Sequence, residues 1–203
     1  MKVLAGILIG LGIVLLGAFA VAATGAFDVG AASPPSKLEK KVANFTLSRS
    51  VARRAPRTQN PQAASPEVWR AGLAHFKENC VMCHGAPGVD ESEFGQGLNP
   101  PAPDLTLPSV QKMSDGELFW IVSNGIRMTG MPAFSPTHKP EEVWKIVAFV
   151  RHLPELSDEE QKALKAGTEE AAGHHQEEPG EKPDANRDDA PARSKGGEHA
   201  PKD

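Results

Sequence analysis

The sequence predicts an all-α domain of about 90 residues held behind one membrane-spanning helix. Three observations point there: three separate stretches place apolar residues at helical spacing, no run of strand length alternates with period two, and after Lys2 there is no charge until Asp28. With three Trp, eight Phe and no Tyr in 203 residues, the core is thin, and a bulky apolar cofactor would help to fill it. A net charge of -4 is too mild to imply nucleic acid, and so short a core-forming stretch leaves room for one site rather than a multidomain enzyme.

The elements follow in chain order. Residues 1–30 contain the apolar run Val3 to Phe27, longer than the roughly 20 residues that span a bilayer. It reads as an uncleaved anchor, with a cleaved signal peptide as the alternative because "AFAVAA" offers small residues at a peptidase spacing. Lys37, Lys40 and Lys41 follow the span while Lys2 alone precedes it, a bias that by itself would leave the C-terminal side in the cytoplasm. Residues 31–64 read as a basic juxtamembrane linker, opening at Ser33-Pro34-Pro35. Its apolar residues Leu38, Val42, Phe45 and Val51 stand among seven basic ones from Lys37 to Arg57. A short amphipathic helix on anionic lipid headgroups and a solvated, flexible connector are both compatible with that pattern.

Residues 65–156 form the predicted domain. Ser65-Pro66 starts a first helix with Val68, Leu73 and Phe76 toward one side. Ser114 or Asp115 caps a second, which buries Leu118, Phe119 and Ile121 or Val122 and stops at Asn124-Gly125. A third starts at Pro140, carries Val143, Trp144, Val147 and Phe149 or Val150, and ends before Pro154. The long Gly/Pro-rich connection "GQGLNPPAPDLTLPS" needs something to pack against. Residues 157–203 read as a polar, largely disordered acidic tail, with ten acids against five bases from Thr168 onward and with His174, His175 and His199 solvated.

The two cysteines of the chain, Cys80 and Cys83, stand three apart with His84 adjacent. On the last turn of a helix they share one face, so both sulfurs reach one planar ring while the imidazole turns under it. This is the C-x-x-C-H signal for covalent haem, with Cys80 and Cys83 forming thioethers and His84 supplying a nitrogen to iron. Structural zinc would need four ligands, and a thioredoxin-like pair would need a βαβ context. A disulfide would leave His84 unexplained. Covalent haem attachment takes place outside the cytoplasm, which overrides the lysine count, so the domain is expected to be exported.

A second axial ligand is expected from Met131, because Pro132 keeps it out of the α region and in an extended loop that presents a soft thioether. Met128, three residues earlier, is the rival and lacks the following proline. Met113, His75, His138 and His152 read as core or surface residues.

Residues Ala71 to Leu153 closely resemble the single-haem class I cytochromes c. The match lies in "GLAHFKENCVMCHG", "PAPDL", "GMPAF" and "WKIVAFVRHL". The resemblance implies the class I cytochrome c fold around one covalent haem c, with Gly72 and Phe76 of the first helix facing Ile146 and Phe149 of the last. It also implies that the carbonyl of Pro103 accepts the other N–H of His84. The anchor, "GAFDVGA" and "SVARRA" resemble a membrane-anchored bacterial subgroup of these proteins. One departure is the charge of the domain: eleven acids against seven bases from Ser65 to Leu156, unlike the basic mitochondrial relatives.

With iron held by His84 and Met131 there is no open position for substrate. The expected function is therefore electron transfer rather than catalysis, cycling ferrous and ferric haem in a respiratory chain. Expected partners are membrane redox complexes or soluble redox proteins as donor and acceptor, together with membrane lipid. A haem subunit held permanently in a dehydrogenase or oxidase complex is the alternative, and a haem sensor or peroxidase ranks third.

Overall fold

The computed structural model describes residues 2–62 and 64–173. Among them are nine α-helices and no strand. Helix α1, Lys2–Thr24, has no buried residue and is long and apolar enough to cross a membrane.

The linker is a helix over more than half its length. Ser36 starts α2, Lys37–Arg54, through reciprocal 3.2 Å bonds: its hydroxyl accepts the Glu39 N–H and the Glu39 carboxylate accepts its own N–H. Nor does this segment hang free. Val51 is 1% exposed, and the chain beyond it is pinned where the Asn60 N–H donates to Asp115 at 2.9 Å and its side-chain amide to the Trp144 carbonyl at 2.8 Å. A Cβ at Gly116 would lie 1.8 Å from the Pro56 carbonyl oxygen, so glycine alone permits this close approach.

The core is built by α3 (Pro66–Asn79), α7 (Asp115–Asn124) and α8 (Pro140–His152). Ser65 caps α3 with Pro66 in its first turn, and Ser114 opens α7 in a capping box with Glu117. At the start of α8 the Glu142 carboxylate accepts the Lys139 N–H at 2.7 Å. Gly72 is the crossing point of α3 and α8: a Cβ there would meet the Lys145 carbonyl at 2.3 Å and the Phe149 Cβ at 2.6 Å. Phe76 packs its ring against Phe149 at 5.4 Å between centroids, and both are fully buried. Each such side chain contributes about 1.5–3 kcal/mol. Because α8 lies between α3 and α7, its burial is nearly all-round: Ile146, Phe149 and Val150 are inside together with Val143, Trp144 and Val147. Trp144 stacks on Phe119 at 4.2 Å. Arg151 fastens the corner before α7, pairing with Asp115 at 2.9 Å and donating to the carbonyls of Gln111 and Met113.

The chain differs from the sequence reading after Leu156, where a polar tail is expected. Ser157 caps a further helix, α9, Asp158–Gly173, by donating its hydroxyl to Glu160 at 2.7 Å and accepting the Glu160 N–H at 3.3 Å. Leu164, the one large apolar side chain of this helix, is fully buried. His152, at the end of α8, stacks flat on Trp69 at 4.0 Å and bonds Glu160 at 3.1 Å. One leucine and one histidine-carboxylate contact thus order a stretch whose composition is that of a solvated segment. The remainder of the expected tail, with His174, His175 and His199, lies outside the described residues.

Candidate functional site

Cys80 ends α3, its N–H donating to Phe76 O at 2.8 Å, and the single turn α4, Val81–His84, follows without a break. The N–H groups of Cys83 and His84 both donate to Cys80 O, at 3.1 and 3.0 Å, which puts the two sulfur-bearing residues one turn apart on one face. Neither cysteine is in a disulfide. Burial, with the neighbouring Cys83, pushes the Cys80 thiol up to about 12, and burial also raises Cys83. Both are neutral thiols at neutral pH, the reverse of the depressed values that mark a redox-active pair.

His84 is fixed from one side. Its Nδ1 lies 2.8 Å from the Pro103 carbonyl oxygen, so Nδ1 carries the proton and donates, leaving the Nε2 lone pair available. Burial lowers the imidazole pKa, and the Pro103 bond opposes that shift. The turn is held from its other flank by α5, Glu93–Gln96: Ser92 donates its N–H and hydroxyl to Met82 O at 3.0 and 2.8 Å. A Cβ at Gly95 would come 2.6 Å from that same oxygen.

The loop from Gly125 to Phe134 distinguishes the two candidate methionines. Met128 is 91% exposed, at φ 62, with its side chain in solvent. Met131 is half-buried and packs against the core. Its N–H donates to the Thr129 hydroxyl at 3.1 Å, that hydroxyl donates to Ile126 O at 2.7 Å, and Ile126 N–H returns to Met131 O at 3.2 Å. The loop closes over Gly125, where a Cβ would meet Pro132 C at 2.6 Å. Phe134 N–H bonds Val122 O at 3.2 Å and Phe134 is buried, which ties the segment to α7. Thr129 and Leu98 escaped the sequence reading. Leu98 packs so tightly on Gly130 that a Cβ there would be 2.5 Å away, and the Thr129-x-Met131 spacing is the one signal that could have revealed the hydroxyl brace.

The remaining histidines lie apart from this arrangement. His75 and His138 meet edge to face at 5.2 Å, and His152 is engaged by Trp69 and Glu160. Among the described residues no group of three or more His, Cys, Asp or Glu converges as a bare metal ion would require. Two unpaired thiols on one turn, an imidazole with one nitrogen oriented, a thioether on a braced loop and half-buried Leu105, Met113 and Phe119 fit a haem.

Residues 67–150 match the family model described as "Cytochrome C oxidase, cbb3-type, subunit III". A 1-butanol dehydrogenase (cytochrome c) of Thauera butanivorans is 33% identical over 86 residues, 42% of this chain. The chain spans about a tenth, 11%, of that relative's length. The helical core, the C-x-x-C-H turn and both similarities agree: residues 67–150 are similar to a c-type cytochrome domain.

Proposed function

We propose that the chain is an electron carrier with one haem c, which Cys80 and Cys83 would hold through thioethers and whose iron His84 Nε2 and Met131 would ligate. The observation that carries this reading is the His84–Pro103 bond at 2.8 Å, which fixes the imidazole tautomer and raises the basicity of Nε2. Bound there, a haem supplies a one-electron couple between ferrous and ferric iron, at a potential that methionine-histidine ligation raises. The chain's own residues keep that couple from becoming an open catalytic site. Thr129 and Leu98 brace the loop that presents Met131, and Phe134 anchors it to α7. The apolar helix α1 supports a single-pass anchor, and the proposed covalent attachment, a reaction that takes place outside the cytoplasm, supports a haem domain on the periplasmic side of a bacterial inner membrane.

A second reading, a permanently bound subunit of a larger redox complex, is favoured by the similarities themselves, since the matched model describes an oxidase subunit and the relative is a much longer dehydrogenase. The decisive experiment is a spectroscopic redox titration of detergent-extracted native protein after size separation. A single low-spin species that titrates reversibly, migrates alone and does not bind carbon monoxide is expected. Rapid carbon monoxide binding to high-spin iron would refute the carrier reading, and constant migration with other haem or flavin subunits would establish the second.

A further inference from the structure

Helix α2 has two apolar stripes, and only one is covered. Val51, with half-buried Leu47, faces the domain. On the opposite side of the helix, Leu38, Val42 and Phe45 recur at steps of four and three residues and are 71, 56 and 62% exposed. The guanidinium carbon of Arg49 lies 5.4 Å from the centre of the Phe45 ring, at the end of this stripe. Six basic residues, Lys37, Lys40, Lys41, Arg49, Arg53 and Arg54, stand on α2 with Glu39 as the one acid.

Position and charge identify what covers the open stripe. Helix α2 begins after a twelve-residue connection from the apolar helix α1, and that connection is itself fastened to the domain: the Asn99 side-chain amide donates to the carbonyls of Ala31 and Ser33, both at 2.9 Å. The basic helix is therefore kept on a short tether from the bilayer that α1 enters. The domain behind it carries eleven acids against seven bases from Ser65 to Leu156, so an anionic surface attracts α2 and repels the body.

We infer that the Leu38–Val42–Phe45 stripe of α2 lies in the anionic headgroup layer beside α1, with its lysines reaching up to the phosphates, and that this contact sets the orientation of the haem domain above the membrane. The inference rests on α1 being a span and is independent of the redox assignment. Lysine stems cover apolar surface while their ammonium groups stay in the polar layer, which suits a helix with cations on both flanks of a narrow stripe. Because Val51 seats the far side of the same helix and Pro56 and Asn60 fasten the chain just after it to the domain, the connection is a rigid bracket rather than a flexible leash.

Amide hydrogen exchange on the full-length holoprotein in nanodiscs tests this, using phosphatidylcholine alone against phosphatidylcholine with phosphatidylglycerol. Exchange over residues 37–45 should slow in the anionic discs, while residues 158–166 stay unchanged. Each lysine neutralised, in Lys37→Gln or in Lys41→Gln, should lower the bound-to-free ratio about fivefold. Val42→Asp, which keeps every cation, should also remove the protection. Equal exchange in the two lipids overturns the proposal. So does slowing that appears with rising protein concentration in detergent, which would make the stripe a contact between copies, or slowing that appears only on adding a membrane redox protein, which would make it a protein interface. Failure in any of these ways leaves the redox titration to judge the carrier reading separately.

Discussion

Gly116→Ala should release the linker while leaving the haem domain folded. The added Cβ would sit 1.8 Å from the Pro56 carbonyl oxygen and 2.9 Å from its carbon, both backbone atoms, so the linker must move by more than an ångström. The displacement puts at risk the burial of Val51, about 1.5–3 kcal/mol, and the two Asn60 hydrogen bonds, each about 0.5–1.5 kcal/mol. Alanine returns at most about 1 kcal/mol through helix propensity. A net loss of about 3 kcal/mol raises the open fraction of the linker roughly a hundredfold. Tryptic cleavage at Arg57-Thr58 reads this directly, because cleavage follows the open population when reclosing is fast. The visible spectrum should be unchanged and cleavage faster by about two orders of magnitude. Cleavage within twofold of the native rate would refute the claim that this glycine seats the linker.

Met131→Ala should remove the thioether-to-iron charge-transfer band of the ferric protein, lower its reduction potential and admit carbon monoxide, whereas Met128→Ala, at a 91% exposed side chain, should do none of these. Loss of the band in the Met128 variant would reverse the ligand assignment. Burial raises the Glu160 pKa, but the Ser157 N–H and hydroxyl and the His152 contact outweigh it, and the net shift is downward from 4.5. The stability this carboxylate gives α9 is therefore complete above the ordinary glutamate value and is lost as pH falls through the lower folded value. Relative to the intrinsic rate at each pH, the hydrogen-exchange protection of residues 158–166 should fall on acidification below 4.5 in the native protein and be already low in Glu160→Gln; equal behaviour of the two would refute this.

Capping chemistry made the helices readable. Ser65-Pro66, Ser114 with Glu117, and the stop at Gly125 are local signals, and local signals survive without knowledge of the fold. The C-x-x-C-H turn is likewise a matter of three neighbouring residues. Ser157 with Glu160 is an equally good signal, yet α9 stayed hidden because a single leucine in sixteen residues does not make an apolar stripe. What orders it, the His152–Glu160 contact and a pocket for Leu164, lies across the chain. The docked linker escaped for the same reason: the space above Gly116 is defined by Pro56, sixty residues earlier. At the distal loop, Pro132 pointed to Met131 from sequence, but the Thr129 hydroxyl and the Leu98 contact needed the folded loop.

The burial of Val51 before the shared stretch and of Leu153 and Leu164 after it has a thermodynamic consequence. The stretch that is similar to c-type cytochromes, residues 67–150, is narrower than what packs together, and we expect the whole packed body to melt as one. Inheritance and cooperativity draw their borders in different places. A fragment trimmed to the shared stretch would expose the faces that Val51 and Leu164 cover, and its unfolding would show a smaller denaturant slope, since that slope scales with the surface uncovered. The flanks are part of the folding unit, although similarity alone would set them aside as connector and tail.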